Sequence, residues 1–104
     1  MITAKLAKRD TDMITKEKKV LADKWAQEQL PILETETLAS ISEGLYTDHY
    51  VWHKSTFPDL GITRPLAAKA LQTALENLGF RVDIAMNYYS AGDLCVIWSW
   101  DEVE

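Results

Sequence analysis

The stretch that most constrains this 104-residue chain is Phe80–Trp100, FRVDIAMNYYSAGDLCVIWSW. Apolar and polar residues alternate on both sides of its centre, the period of two that a half-buried β-strand imposes. A loop at Tyr89–Asp93, with Gly92 tolerating positive φ, puts Phe80, Val82, Ile84, Met86 and Tyr88 on one face with Leu94, Val96, Trp98 and Trp100. Arg81, Asp83, Ala85, Asn87, Cys95, Ile97 and Ser99 take the other face. A loop one residue shorter would strand Trp98 and Trp100 beside Ala85 and Asp83, so the alternation selects one facing of the two strands. An antiparallel hairpin with an unbroken apolar face needs a cover, and the rest of the chain is read for one.

The best cover is the segment 64–78. Thr63 is its N-cap, Pro65 sits in its first turn and Gly79 stands just beyond its end. Leu66, Ala70, Leu71, Ala74, Leu75 and Leu78 form its apolar face. Before it, Pro58 and Gly61 signal a turn, and Leu45–Phe57 is rich in aromatic and β-branched residues. A strand around His49–His53 is predicted there, with Tyr50 and Trp52 on one face and His49, Val51 and His53 on the other. Pairing it with Leu94–Trp100 makes a three-stranded antiparallel sheet.

The N-terminal third reads as helical. Residues 1–11 offer Ile2 and Leu6 and are expected to be loosely ordered. From Asp12 the pairs Asp12–Lys16, Lys19–Asp23 and Lys24–Glu28 have the four-residue spacing of a helix face, with Ile14, Leu21, Ala22, Trp25 and Ala26 as its apolar stripe. A sustained heptad would place Glu17 and Lys24 in its core, which argues against a self-sufficient coiled coil. Pro31 predicts a break and then a second helix, with Ile32, Leu33, Leu38, Ile41 and Leu45 inward and Gly44 as its stop. The expected architecture is α+β: N-terminal helices, then strand, helix and β-hairpin, forming a three-stranded antiparallel sheet covered by a helix. Residues 1–104 form one domain, with residues 12–45 helical and 46–100 the strand-helix-hairpin core.

Charge is unevenly placed. Residues 1–24 carry seven basic and four acidic side chains, whereas the remainder carries four basic and twelve acidic ones. A basic arm on an acidic body suits a charged partner or a second copy of the chain. No apolar run approaches the ~20 residues of a membrane span, and no apolar leader opens the chain, so a cytoplasmic location is expected. The single cysteine, Cys95, excludes an internal disulfide.

Catalytic and cofactor chemistry is not signalled. The glycines at 44, 61, 79 and 92 are scattered as turns and caps rather than gathered in a phosphate loop. There is no nucleophile elbow, no HExxH and no cysteine pair. Histidines 49 and 53 lie roughly 13 Å apart along a strand at ~3.3 Å per residue, too far to share a metal ion. Glu34, Glu36 and Glu43 read as a solubilising helix face. Tyr46, Tyr50, Tyr88 and Tyr89 lack the interleaved lysines or arginines of a single-strand nucleic-acid binder. No catalytic residue, cofactor or metal is therefore expected.

Two resemblances bear on function. LGITRPLAAKALQTALENLGFRV is similar to the turn, recognition helix and wing entry of winged-helix domains, which would make Arg64, Lys69, Gln72 and Thr73 the DNA-facing residues. It departs from that family in lacking a clear helix before Gly61 and in its acidic body. The wider pattern from Ile41 to Trp100 resembles small accessory proteins of bacteriophages and prophages. That resemblance implies a non-enzymatic, structural or regulatory role in a bacterial host cell or virion. The apolar residues left over by the sheet and its covering helix predict a homo-oligomer or a protein partner held through Ile14, Leu21, Trp25, Ile32 and Leu33, with nucleic acid a less favoured partner.

Overall fold

The computed structural model describes residues 1–53, 61–86 and 93–102. They form α1 (Ala4–Ser42), β1 (Thr47–Trp52), α2 (Arg64–Asn77), β2 (Arg81–Met86) and β3 (Leu94–Ser99). The strands make one antiparallel sheet in the order β1-β3-β2, so the fold is α+β with the last strand at its centre. The helices pack on each other, α1 also reaching β1, and α2 lying on β2 and β3.

Both helices begin and end on signals present in the sequence. Thr3 and Thr63 cap them, each hydroxyl accepting the N–H three residues on. At the other ends, Gly44 (φ 78°) and Gly79 (φ 96°) adopt the left-handed conformation that glycine reaches without steric cost. Gly44 N–H donates to Ile41 C=O and Leu45 N–H to Ser40 C=O; Gly79 and Phe80 repeat the pattern on Glu76 and Leu75. This is the paired closure of a Schellman motif, which satisfies carbonyls that the helix leaves orphaned.

The helical N-terminal third differs from expectation in two ways. It starts at Ala4 rather than Asp12, and it runs unbroken through Pro31 as one 39-residue helix. Proline at this position removes the N–H that would bond to Gln27 C=O, a loss of ~3 kcal/mol in a helix interior. Gln27 is exposed, so water can take the orphaned carbonyl. Continuity keeps Ala22, Trp25, Ala26, Leu33 and Ser40 on one buried stripe. Full burial of a Leu-sized side chain contributes ~1.5–3 kcal/mol, so Trp25 and Leu33 together outweigh the proline. Of the five residues expected inward after Pro31, only Leu33 is buried; Ile32, Leu38, Ile41 and Leu45 are exposed.

In the hairpin the facing of the strands is as the alternation predicts, but the partners differ. The expected loop would pair Tyr88 with Leu94; instead Met86 pairs with Leu94, Ile84 with Val96 and Val82 with Trp98. A slip of two residues leaves every side chain on its own face, which is why alternation alone does not detect it. Tyr88 and Tyr89–Gly92 lie outside the described residues, as does Pro58. β1 pairs with β3 as expected, with Asp48 opposite Trp98 and Trp52 opposite Leu94.

The core lies between the helices and the sheet face carrying Trp52, Val82, Leu94, Val96 and Trp98, with Trp25, Leu33, Leu71 and Leu75 facing them. Trp25 meets Trp52 edge-on at 5.6 Å. The indole N–H of Trp98 donates to Thr37 Oγ1 at 2.8 Å, and that hydroxyl donates to Leu33 C=O at 2.7 Å. Trp52 Nε1 donates in the same way to Gln29 Oε1, whose amide reaches Trp25 C=O. Ser40 Oγ donates to Asp48 Oδ2 at 2.7 Å. No buried side-chain nitrogen or oxygen among the described residues is left without a partner.

Two substitutions test this packing. Trp98→Ala empties the centre of the core and is expected to destabilise the chain by ~3–5 kcal/mol in denaturant unfolding. Pro31→Ala restores the missing N–H inside a continuous helix and is expected to stabilise by ~1–3 kcal/mol. A neutral or destabilising result would place a helix break at Pro31 instead.

Candidate functional site

The body needs only part of α1. From Ala22 onward the helix contributes buried residues, but residues 4–21 are exposed except for half-buried Ala7. At ~1.5 Å per residue these eighteen positions project ~27 Å as a helical arm, and the molecule measures 61 × 33 × 19 Å. The docked half supplies the helical nucleus, so the arm needs only propagation, which Ala4, Lys5, Leu6, Ala7, Lys8 and Arg9 favour. Asp12 pairs back to Lys8 at 2.8 Å rather than forward to Lys16.

Along the arm Leu6, Met13 and Val20 recur at seven-residue intervals, with Ala7, Ile14 and Leu21 one position on. Seven residues fall ~20° short of two full turns, so the row runs nearly straight along one side of the helix. Met13 and Val20 are 57% and 61% exposed. Arg9 and Lys16 flank the row, and Lys5, Lys16, Lys18 and Lys19 make no ion pair among the described residues.

A second apolar feature lies on the body. Leu30, Leu33, Glu34, Thr37 and Leu38 of α1 face Leu75, Leu78 and Phe80 across a groove of about 460 Å³. It continues past Ile41, Gly79 and Trp100 in a further hollow of about 330 Å³. The closure of α2 on Gly79 builds its far wall: the turn points Leu78 outward, 63% exposed, and brings Phe80 back over Leu75 and edge-on to Trp100 at 6.1 Å. Of the inner face expected for α2, Leu71 and Leu75 are buried and Leu66, Ala70 and Ala74 half-buried, with Ala67 and Ala68 buried beside them, but Leu78 is turned out.

The predicted interface residues divide between surface and core. Ile14, Leu21 and Ile32 are exposed and remain available to a partner. Trp25 and Leu33 are in the chain's own core, at 2% and 1% exposure, which corrects their assignment to an interface. They were misread because a break at Pro31 would have turned the two halves of α1 independently. On α2, Lys69 and Thr73 are exposed and Arg64 and Gln72 half-buried. Leu6, Met13 and Val20 were missed, although their seven-residue spacing was readable in the sequence.

The opposite face of the sheet holds a polar pair. His53 Nδ1 lies 3.4 Å from Oδ2 of Asp93, whose carboxylate is buried while the imidazole is largely exposed. Extending the β1–β3 register by one residue puts these two directly opposite, a signal the sequence contained once that pairing was drawn. A carboxylate on one ring nitrogen orients the imidazole and sets its tautomer, the arrangement found behind many general bases. Among the described residues, no three of His, Cys, Asp and Glu converge to hold a metal ion, and no helix is long and apolar enough to cross a membrane. Cys95 lies on this same face, flanked across the strands by Val51 and Ala85 and fully buried. Comparison with protein-family models, curated proteins and solved structures finds no match to this chain.

Burial raises the Cys95 thiol pKa from 9.0. The folded chain therefore keeps this proton to higher pH than the unfolded chain does. The stability this contributes is complete below 9.0 and lost as pH rises through the folded-state value. The denaturant midpoint is expected to fall on the alkaline side of 9.0, less steeply in Cys95→Ala. Iodoacetamide should label the native thiol far more slowly than the unfolded one at the same pH.

Proposed function

We propose that this chain is a small non-enzymatic protein that acts through protein–protein contact, and that it assembles with copies of itself through α1. The observation that carries the reading is the apolar row on the arm, which nothing else among the described residues covers. Leu6, Met13, Ile14, Val20 and Leu21 are each about half exposed, so completing their burial contributes about 1 kcal/mol apiece. One arm then supplies about 5 kcal/mol, near the low end of the ~4–15 kcal/mol that association costs. A contact made twice, as in a twofold dimer, clears that cost more comfortably.

The charge distribution agrees with self-association, because the basic arm and acidic body attract between copies and repel within like pairs of arms. DNA binding is less well supported: beyond residue 24 four basic side chains stand against twelve acidic ones, and only Arg64 and Lys69 lie on α2. The phage or prophage setting belongs to this proposal and rests on the sequence resemblance.

Light scattering coupled to size exclusion tests the reading. The wild-type chain at tens of micromolar is expected to run as an oligomer, and the triple substitution Leu6→Lys, Met13→Lys, Val20→Lys as a folded monomer. These side chains are exposed in the single chain, so loss of assembly would not be loss of fold. A wild-type monomer would sink the proposal.

A further inference from the structure

Resting on that reading, we infer that the groove between α1 and the end of α2 is the receptor for the arm of a second copy, with the two copies exchanging arms. Three observations meet here. The lengths agree: the apolar row from Leu6 to Leu21 spans ~22 Å, and the α1 wall from Leu30 to Ile41 spans ~17 Å, at 1.5 Å per residue. The surfaces agree too. The row presents Leu, Met and Val side chains, and the groove presents exposed Leu38 and Leu78 and half-buried Leu30 and Phe80 over a floor of buried Leu33 and Leu75. An amphipathic helix laid in a hydrophobic groove is a common recognition mode.

The third observation is charge, and it selects the occupant. Arg9 and Lys16 border the row on the arm, Glu34 stands in the groove wall, and Glu76 is the exposed neighbour of Leu75 on α2. An arm placed in the groove brings opposite charges together. Asp10 and Glu17 fall within the row in either pairing, but two arms laid on each other would bring two net-basic segments into contact. The same chain cannot fill its own groove, because arm and groove wall belong to one continuous helix: Met13 and Leu38 are 25 positions apart, ~37 Å along the axis. Running antiparallel, two such helices let each arm reach the other copy's groove, so the contact closes as a dimer.

Cross-linking between single-cysteine variants, all in a Cys95→Ala background, reads this out directly. Leu6→Cys, Met13→Cys or Val20→Cys, each mixed with a tagged Leu38→Cys chain, is treated with a short bismaleimide. At least one mixture is expected to give an arm-to-Leu38 covalent dimer, which can only be intermolecular. In parallel, Leu38→Glu with Leu78→Glu, both exposed in the single chain, is expected to raise the dimer dissociation constant roughly tenfold or more. An oligomer whose arm cysteines link only to each other, or none of which links to Leu38, would overturn the groove assignment while leaving self-assembly intact. A monomeric wild-type chain would remove both.

Discussion

Everything in this structure depends on where α1 is held along the sheet, and two tryptophan N–H groups hold it. A buried indole N–H without an acceptor costs ~1–3 kcal/mol. Among the described residues Trp98, with no exposed surface, meets that requirement through Thr37, and Trp52 through Gln29. Apolar packing by itself tolerates a helix sliding along a sheet, because it is not directional. Hydrogen bonds from two strands to α1 positions eight residues apart do not. Ser40 on Asp48 adds a third fixed point just before the helix stops at Gly44.

With α1 so placed, the surplus at its N-terminal side becomes unavoidable. The last buried position toward that end is Ala22, and the helix carries on to Ala4. The same placement sets Leu30, Leu33 and Leu38 opposite the last turn of α2, where the glycine closure turns Leu78 out and Phe80 in. Arm and groove are thus two consequences of one docking position. The proposed self-assembly makes use of both.

Pro31 shows how a strong local signal is overridden. Its missing N–H and the clash with the preceding turn argue for a break, and at an isolated site they would win. Here the residues on either side, Trp25, Ala26 and Leu33, must all face one core, and only an unbroken helix puts them there. Wherever a helix is anchored by tertiary contacts on both sides of a proline, the local cost is offset by burial that no local reading can count.

The sequence by itself determined the number and order of the C-terminal elements, the ends of α2, the inward facing of Val82, Val96 and Trp98 and the closure of both helices on glycine. Each follows from a local rule: the period of two, a threonine cap, a glycine able to take positive φ. Only the tertiary structure decided which residues pair across the hairpin, because a two-residue slip preserves alternation. It alone decided that Trp25 and Leu33 are core while Ile14, Leu21 and Ile32 are surface, since that depends on the continuity of α1 through Pro31. It also decided the groove, whose walls come from residues 30–41 and 75–80 and meet only once α1 has been fixed against the sheet and α2. Local chemistry sets what each segment can be; the long-range contacts that hold α1 set which of its faces remain for a partner.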